Sequence, residues 1–267
     1  MTEQRGTAGE AYEVLAVRYG TRQTTAAEVF LGYAGYGEPD RPLGMDYYFW
    51  VARNQARTIV IDTGFSPAGG AARGRTTLYP LPAALAAAGL TADEVGQVVV
   101  THAHYDHVGG LPAFGAAEVL MTAPEYEFWT GPMGGRGLFA HVTEADEIDH
   151  LRSLRAAGRL TLTGRSHAVA PGIEMTEVGG HTPGQAIVTV ATERGTVLLA
   201  SDAAHYYEEL DRDRPFSTVT DVPGMYAAYD VIRSLAADPS VTVVAGHDPL
   251  VAERFPAVAD GVWLLSG

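Results

Sequence analysis

The stretch Thr-His-Ala-His-Tyr-Asp-His-Val-Gly-Gly at positions 101–110 constrains this chain more than any other part of it. Three imidazoles and a carboxylate fall within six positions, just after the apolar run at 98–100 of Gly96-Gln-Val-Val-Val-Thr. Such a run reads as a fully buried strand, so the polar groups open at its end. Imidazole and carboxylate are donors suited to zinc and its neighbours. In extended chain, side chains at i and i+2 share a face. His102 and His104 can therefore grip one ion together, while Asp106 and His107, past the bend, can point at a second. Gly109 and Gly110 are expected to allow a tight turn that brings the chain back under the sheet. The competing reading is a chance cluster of polar loop residues.

Three distant residues tilt the choice towards metal. His181 follows Val178-Gly-Gly and precedes Thr-Pro-Gly. Asp202 follows the apolar run 197–200 through Ser201, and His247 follows the apolar run 241–245 through Gly246. Each is a metal-ligating residue type at the C-terminal mouth of a predicted strand. One such residue alone would more often be structural; three of them joining a dense cluster point to a metal centre. His141, His150 and His167 have no motif around them and read as surface or helix histidines.

The pattern along the chain is strand runs with helices inserted, twice over. Residues 13–19 and 46–53 alternate and carry aromatics, as strands do. Between them, 20–44 is rich in Gly, Pro and Thr. It is long for a loop and reads as a functional loop or an interface arm, with a homodimer as the implied assembly. Further strands are expected at 58–61, 118–121, 160–162, 173–178 and 241–245. Residues 186–191 and 196–200 form a predicted hairpin about Glu193-Arg194-Gly195. The spacing predicts a helix over 81–88, ended by Gly89. A second helix is expected over 143–157, opened by Thr143 with Asp146 three residues on. A third runs along Met225, Ala228, Tyr229, Ile232, Leu235 and Ala236. Two mixed sheets packed on each other, with helices outside, account for that order. The chain has 267 residues and no low-complexity linker. It reads as a single hydrolase domain over 11–267, after a small, polar and disordered start at 1–10.

Composition excludes several function classes. A formal net charge of −14 argues against nucleic acid and against anionic lipid. Without cysteine there are no disulfides, thiolate ligands, Cys nucleophile or iron–sulfur ligation. The start lacks the apolar core of a signal peptide. No run approaches the roughly 18–20 apolar residues of a membrane span. A cytoplasmic protein acting on a small molecule, without nucleic acid or membrane, is the expectation. No Gly-x-Ser-x-Gly elbow is present either.

The spacing His-x-His-x-Asp-His, followed by a distant His, an Asp and a last His, resembles the metallo-β-lactamase superfamily, from Asp46 to about Leu250. The resemblance implies an α+β fold, a four-layer αββα sandwich of two mixed β-sheets with the metals at one edge. It implies the ligand assignment too. His102, His104 and His181 would hold the first of two divalent ions, and Asp106, His107 and His247 the second. Asp202 would bridge them, together with a water or hydroxide. Zn2+ is the expected metal, with Mn, Fe or Co as the other candidates. Asp62, in Ile-Asp-Thr-Gly, matches the acidic residue behind the site and would orient a ligating His; the alternative is a strand-end turn residue. In this chemistry the bridging hydroxide attacks a polarised carbonyl, and Asp106 passes the proton to the leaving oxygen.

Absences narrow the branch. The commonest subclass of true β-lactamases uses a Cys ligand, and flavodiiron oxygen reductases carry Glu where His104 stands. Glyoxalase II-type thioesterases add a helical domain after the last ligand, whereas 20 residues follow His247 here. The RNA-processing nucleases of the fold need a basic surface. The chain is similar to the N-acyl homoserine lactonase family, through its length and through Ser201-Asp-Ala-Ala-His-Tyr-Tyr-Glu-Glu. The Met45-Asp-Tyr-Tyr-Phe-Trp strand and Gly246-His-Asp-Pro also match. The implied function is opening of a lactone ring, N-acyl homoserine lactone first among candidates, which is quorum quenching. Alternatives are hydrolysis of another cyclic ester, amide or imide, and a non-catalytic metal-binding module.

Two positions depart from that family. Well-known members place a Tyr three residues after the bridging Asp. Here His205 stands there, with Tyr206 and Tyr207 next. Either His205 or Tyr206 takes the catalytic part, or the substrate differs. Gln185 replaces a His of His-Thr-Pro-Gly-His that is not a ligand. An apolar trough is expected beside the metals, drawn from Phe128, Trp129, Met133, Phe139, Tyr207 and Phe216, with 131–137 as a lid or rim.

Overall fold

Alternation along the first strand sets up the layers. β1 (Glu13–Thr25) turns Val14 and Ala16 to one face and Leu15, Val17 and Tyr19 to the other, as a side-chain period of two requires. Residues 11–266 are described by the structure, a computed structural model; the expectation of disorder at 1–10 lies outside them. The first sheet continues with β2 (Pro42–Arg53), β3 (Thr58–Ile61), β4 (Thr76–Thr77), β5 (Gln97–Val99), β6 (Glu118–Thr122) and β7 (Leu160–Thr163). The second contains β8 (Ser166–Ala170), β9 (Ile173–Glu177), β10 (Ala186–Thr192), β11 (Gly195–Ser201) and β12 (Val241–Ala245). β13 (Ala257–Ala259) and β14 (Val262–Leu264) return to the first sheet.

The strand orders are β13-β14-β1-β2-β3-β5-β6-β7, with β4 on β1, and β12-β11-β10-β9-β8. β3, β5, β6 and β7 pair in parallel while β1, β2 and β3 are antiparallel. In the second sheet the β11–β12 pair is parallel and its other pairs antiparallel. Both sheets are mixed, as the sequence pattern predicts.

Between the sheets lie Trp50, Ile59 and Ile61 from the first and Met175, Val188, Leu199 and Val244 from the second. The other face of the first sheet is covered by the helices Leu81–Ala87 and Ala145–Ala156, through Leu85, Ile148, Leu151 and Leu154. The helix Val222–Ala236 covers the second through Met225, Ala228, Tyr229 and Ile232. Burying each large side chain contributes about 1.5–3 kcal/mol, which holds an αββα stack. Among the described residues no helix is long and apolar enough to cross a membrane.

Several expectations need correction. The supposed loop 20–44 is strand at both ends, over 20–25 and 42–44, with the short helix Ala26–Val29 and a single turn Tyr33–Tyr36 between. β1 and β2 stay paired from Glu13↔Arg53 to Thr25↔Pro42, with a bulge between Arg18 and Gly20. The β-branched Thr21, Thr24 and Thr25 suit a pleated surface, and their polarity masks the pattern. The rest of the segment folds onto its own chain instead of standing out as an arm. Val29, Phe30 and Tyr33 are buried, Phe30 bridges Phe216, and Leu31 N–H donates to Pro215 O at 2.7 Å. Thr143 does not cap the following helix; Glu144 holds that position, and the Thr143 hydroxyl donates to Ala140 O. Leu235 is 38% exposed, so the buried stripe of its helix ends at Ile232. β8 and β13 are edge strands, paired on one side, and their three to five residues are too short to set a period in the sequence.

The helix Ala145–Ala156 points one acid inward. Glu147 is buried, and its Oε2 has no hydrogen-bond partner. Burial, with Glu144 and Asp146 close by, pushes its carboxyl from 4.5 up to about 8. A carboxyl raised in the folded state contributes stability that is complete below its unfolded value and is lost as pH rises through the folded one. The melting temperature is therefore expected to decline from about pH 5 to about pH 8 more steeply for the wild type than for Glu147→Gln. Thermal melts across that range check it, and parallel curves for the two proteins would refute it.

Candidate metal centre

Strand ends at one edge of the two sheets carry the donors. The chain leaves β5 at Val99 and reaches His102 and His104. The single turn Tyr105–Val108 then presents Asp106 and His107. His181 lies in the loop after β9, Asp202 directly follows β11, and His247 follows β12 by two residues. Asp62 and Ser201, at the ends of β3 and β11, hold positive φ of 59° and 46°. Non-glycine residues in that region are strained, and such strain gathers at functional sites.

Gly109 and Gly110 act differently from the expected turn. Both have ordinary negative φ, −63° and −90°. A Cβ on Gly109 would come within 2.4 Å of Ser66 N, and one on Gly110 within 2.2 Å of Thr63 O. Glycine is needed there for close backbone approach, which lets Thr63 N–H and its hydroxyl both donate to His107 O.

The donors fall into two groups, His102, His104, His181 and Asp202 in one and Asp106, His107 and His247 in the other, with atoms inside each group no more than 4.8 Å apart. All are buried. Asp202 joins the groups. Its carboxylate oxygens lie 3.6 Å from His102 Nε2, 3.3 Å from His181 Nε2, 3.3 Å from His107 Nε2 and 3.0 Å from His247 Nε2.

Backbone and side-chain partners aim the rings. Nδ1 of His181 lies 2.8 Å from Thr218 O, and Nδ1 of His247 lies 2.8 Å from Asp46 O. Nδ1 of His107 lies 2.8 Å from Asp62 Oδ2. Asp62 itself accepts from Thr101 N at 2.8 Å and Thr101 Oγ1 at 2.7 Å. Each bond leaves Nε2 facing the group. Nε2 of His102, His107 and His247 finds no aligned hydrogen-bond partner, nor does Oδ1 of Asp202. Buried polar atoms without partners cost free energy, and here they are several, convergent and of ligand type. The set fits a pair of divalent cations.

Charge supports the same fit at His102, His104 and His181, whereas at His107 burial is outweighed by the carboxylates of Asp202, Asp62 and Asp106, which hold the ring well above the ordinary range. Burial holds His102 and His104 well below the ordinary imidazole range, with neighbouring imidazoles adding to it. His181 is lowered to about 3, again chiefly by burial. Neutral imidazole is the form that binds metal. Burial would raise the Asp202 carboxyl, but His205, His247 and His107 around it carry it well below its usual value, so it stays ionised.

Glu125 is a residue that sequence reasoning missed. Fully buried on the helix Ala123–Thr130, its Oε1 accepts from Ala103 N at 2.8 Å and Trp129 Nε1 at 2.6 Å. Its Oε2 accepts from Thr182 Oγ1 at 2.7 Å and Gly184 N at 2.9 Å. One carboxylate thus clamps the loop of His102 and His104 to the loop of His181. The available signal was slight: an acid between a buried strand and Trp129.

A cavity of about 370 Å³ opens on the donors and is lined by Arg22, Arg75, Asp106, His205 and Phe216 among others. A neighbouring lobe of about 270 Å³ shares His104 and His181 with it and is walled by Trp129, Leu138, Phe139 and Val142. The expected trough is therefore only half apolar. Trp129, Phe139 and Phe216 line these spaces, the last stacked on His205 with ring centroids 3.7 Å apart. Phe128 packs behind, against Trp129 and Phe139, and Met133 is 47% exposed and lines neither lobe. Tyr206 and Tyr207 face a separate cavity of about 500 Å³. The Tyr206 hydroxyl donates to Gly44 O at 3.0 Å, and the Tyr207 ring lies under the Arg254 guanidinium. Neither tyrosine reaches the donor groups. Gln185 is buried, with its amide donating to Ala186 O.

Residues 44–247 match the family model of the metallo-beta-lactamase superfamily. The N-acyl homoserine lactonase AiiB of Agrobacterium fabrum (strain C58) is 30% identical over 177 residues, 63% of this chain and 62% of the relative. The N-acyl homoserine lactonase AiiA of Bacillus thuringiensis subsp. kurstaki is 27% identical over 133 residues, 48% of this chain and 46% of the relative. The chain thus spans about half the length of the Bacillus relatives it matches. Among solved structures, an N-acyl homoserine lactone hydrolase with N-hexanoyl-L-homoserine bound at its catalytic metal centre has a TM-score of 0.76 at 18% identity, over 93% of this chain and 98% of that one. AidC, a dizinc quorum-quenching lactonase, has a TM-score of 0.72 at 17% identity, over 96% and 94%. At such identities the likeness is one of fold. The family match runs over most of the chain and takes in every donor of both groups, on the αββα layers described above; the chain belongs to the metallo-beta-lactamase superfamily.

Proposed function

We propose that this chain is a dinuclear metal-dependent hydrolase that opens a lactone ring, the N-acyl homoserine lactones named for its relatives being the first class to try. The observation that carries the reading is the convergence of buried, partnerless imidazole nitrogens on the Asp202 carboxylate. His102, His104 and His181 would hold one ion, Asp106, His107 and His247 the other, and Asp202 both. Two divalent ions, zinc before manganese, iron or cobalt, supply Lewis acidity and a water whose pKa falls to about 7.

The chain's own groups do the rest. Asp62 holds His107 in one orientation through the 2.8 Å contact to its Nδ1. Asp106 lines the cavity and can accept a proton there and return it to the departing alkoxide. His205 takes the position where a tyrosine was expected to act, and Tyr206 is turned away from it. Its Nε2 lies 2.9 Å from Asp202 Oδ2 and its Nδ1 3.3 Å from Glu209 Oε1. Glu209 in turn accepts from Tyr229 OH at 2.6 Å. Burial lowers the His205 pKa, but Asp202 and Glu209 outweigh it and carry the ring up to about 9. With Glu209 on Nδ1, Nε2 is the nitrogen that can turn its proton to an oxygen gaining charge in the cavity once metal takes up the Asp202 carboxylate.

The test is a panel of short- and long-chain homoserine lactones on metal-loaded protein, read by acid release. Turnover is expected. Activity on cyclic amides alone would move the assignment to amide hydrolysis, and inertness towards all of them to a binding module. On the same panel, His205→Ala is expected to keep its metal by elemental analysis and to lower kcat about 10²-fold, the usual cost of one such donor. A wild-type kcat in that variant would remove His205 from the mechanism.

A further inference from the structure

We propose that the lactone this chain opens bears a negatively charged substituent, a carboxylate or a group of like geometry, seated on Arg22 and Arg75. The inference rests on the lactonase reading and names its substrate class more narrowly. β1 and β4 pair with Gly20↔Thr77 and Thr21↔Thr76. Arg22, next along β1, and Arg75, just before β4, both line the cavity that opens on the donors. Two guanidinium charges at one cavity repel each other, and a half-buried cation without a counter-ion costs free energy.

Neither arginine is in contact with an acid, although the Asp106 charge reaches Arg75 across the cavity. Arg22 Nε reaches Met45 Sδ at 3.3 Å. Arg75, half-buried, donates to Tyr105 OH at 3.0 Å and Arg73 O at 2.6 Å. Among the described residues neither forms an ion pair with a carboxylate. Elsewhere Arg41, Arg212 and Arg214 are paired with Glu38 or Glu208, and Arg155 and Arg159, which form no ion pair among the described residues, donate to backbone carbonyls; Arg22 and Arg75 are set apart by lining the cavity of the donor groups. Glu28 also lines the cavity, but its Oε2 accepts from Thr24 Oγ1 at 2.7 Å. Asp106 and Asp202 belong to the donor groups.

The surroundings give the substrate its polarity. His104 and His181 form a wall common to both lobes. An ester at that wall can send an apolar acyl group towards Trp129 and Phe139, and a charged group towards the arginines. A neutral acyl lactone fills the first lobe only. A guanidinium fork matches a carboxylate in shape as well as charge, and paired forks add direction.

A matched pair of substrates tests this: a five-membered lactone with a ring carboxylate, and the same lactone with a carboxamide. The metal-loaded wild type is expected to prefer the carboxylate in kcat/KM by about tenfold or more, the worth of one charge-assisted hydrogen bond. In Arg22→Gln/Arg75→Gln the preference should fall to near one, mainly through KM, while metal content and melting temperature hold. Arg75→Lys should recover part of it, since the charge returns without the fork. Glutarate binding, measured by calorimetry on metal-loaded wild type and double variant, reads the same site without turnover. It should weaken about tenfold in the variant and weaken with salt in the wild type. Equal use of both lactones by the wild type, or glutarate binding unchanged in the variant, would overturn the proposal. Failure to open any lactone removes the lactonase reading alone, because the glutarate measurement still decides whether the arginines take an anion.

Discussion

Asp202→Ala is expected to leave a folded protein that holds little metal and has lost activity by roughly 10³-fold or more, since the Lewis acid contributes several kcal/mol to the barrier. The reason is position. Among the described residues Asp202 is the one carboxylate within 3.6 Å of imidazole nitrogens from both donor groups. Asp106, the other acid of the set, approaches His107 and His247 no nearer than 4.0 Å and 3.9 Å. Without Asp202 the two groups lose the one carboxylate they share: Asp106 stays near His107 and His247 alone, and His102 and His181 are left without an acid in contact, so two cations would meet poorly screened. Asp202→Asn separates charge from shape: it keeps the volume and should lose metal almost as completely. Elemental analysis and lactone turnover on the same preparations decide the matter. Two ions per chain in either variant, with activity within about tenfold of wild type, would show that Asp202 is not the shared ligand.

The second large effect is expected at a residue that holds no metal. Glu125→Ala removes the acceptor of four buried donors: Ala103 N, Trp129 Nε1, Thr182 Oγ1 and Gly184 N. Each donor left unsatisfied costs about 1–3 kcal/mol. Relaxation and entering water recover part of that, so a net loss of about 3–5 kcal/mol is expected. For a domain of this size that corresponds to a melting temperature lower by roughly 10 °C. Metal affinity should fall as well, by about 10- to 100-fold, because the loops of His102, His104 and His181 lose their common anchor. Glu125→Gln keeps one oxygen and should fall between. Thermal melts of metal-free protein, with zinc titrations alongside, separate the two effects. A variant that melts within about 1 °C of wild type and binds zinc unchanged would remove the clamp from the account.

The two predictions differ in how far the sequence prepares for them. Asp202 announces itself: an acid at the end of an apolar strand, at a family-like distance from the His cluster. Glu125 does not, because its importance comes from four donors on three separate segments, and nothing near position 125 in the chain points to the loops of Ala103 and Thr182. Tyr206 shows the same limit from the other side. It is adjacent to His205 in sequence, yet the chain enters the helix Tyr207–Arg212 there. The Tyr206 hydroxyl therefore turns to Gly44, while the His205 ring stays against Phe216. Neighbours along a backbone that changes direction do not share a face. The mixed polarity of the cavity was equally hidden. Arg22 fell in a segment read as loop, and Arg75 precedes a strand of two residues.

What the sequence determined by itself was the set of strand ends that carry imidazole and carboxylate, and the layered order of strands and helices around them. Both are local matters: apolar periodicity says which backbone is buried, and polar residues directly after a buried run must sit at its mouth. Tertiary structure alone decided which side chains share a cavity, which acid clamps the loops, and which two arginines line the space beside the donors. Those depend on strand register and on contacts between segments far apart in the chain, where a shift of a single residue exchanges one face of a strand for the other.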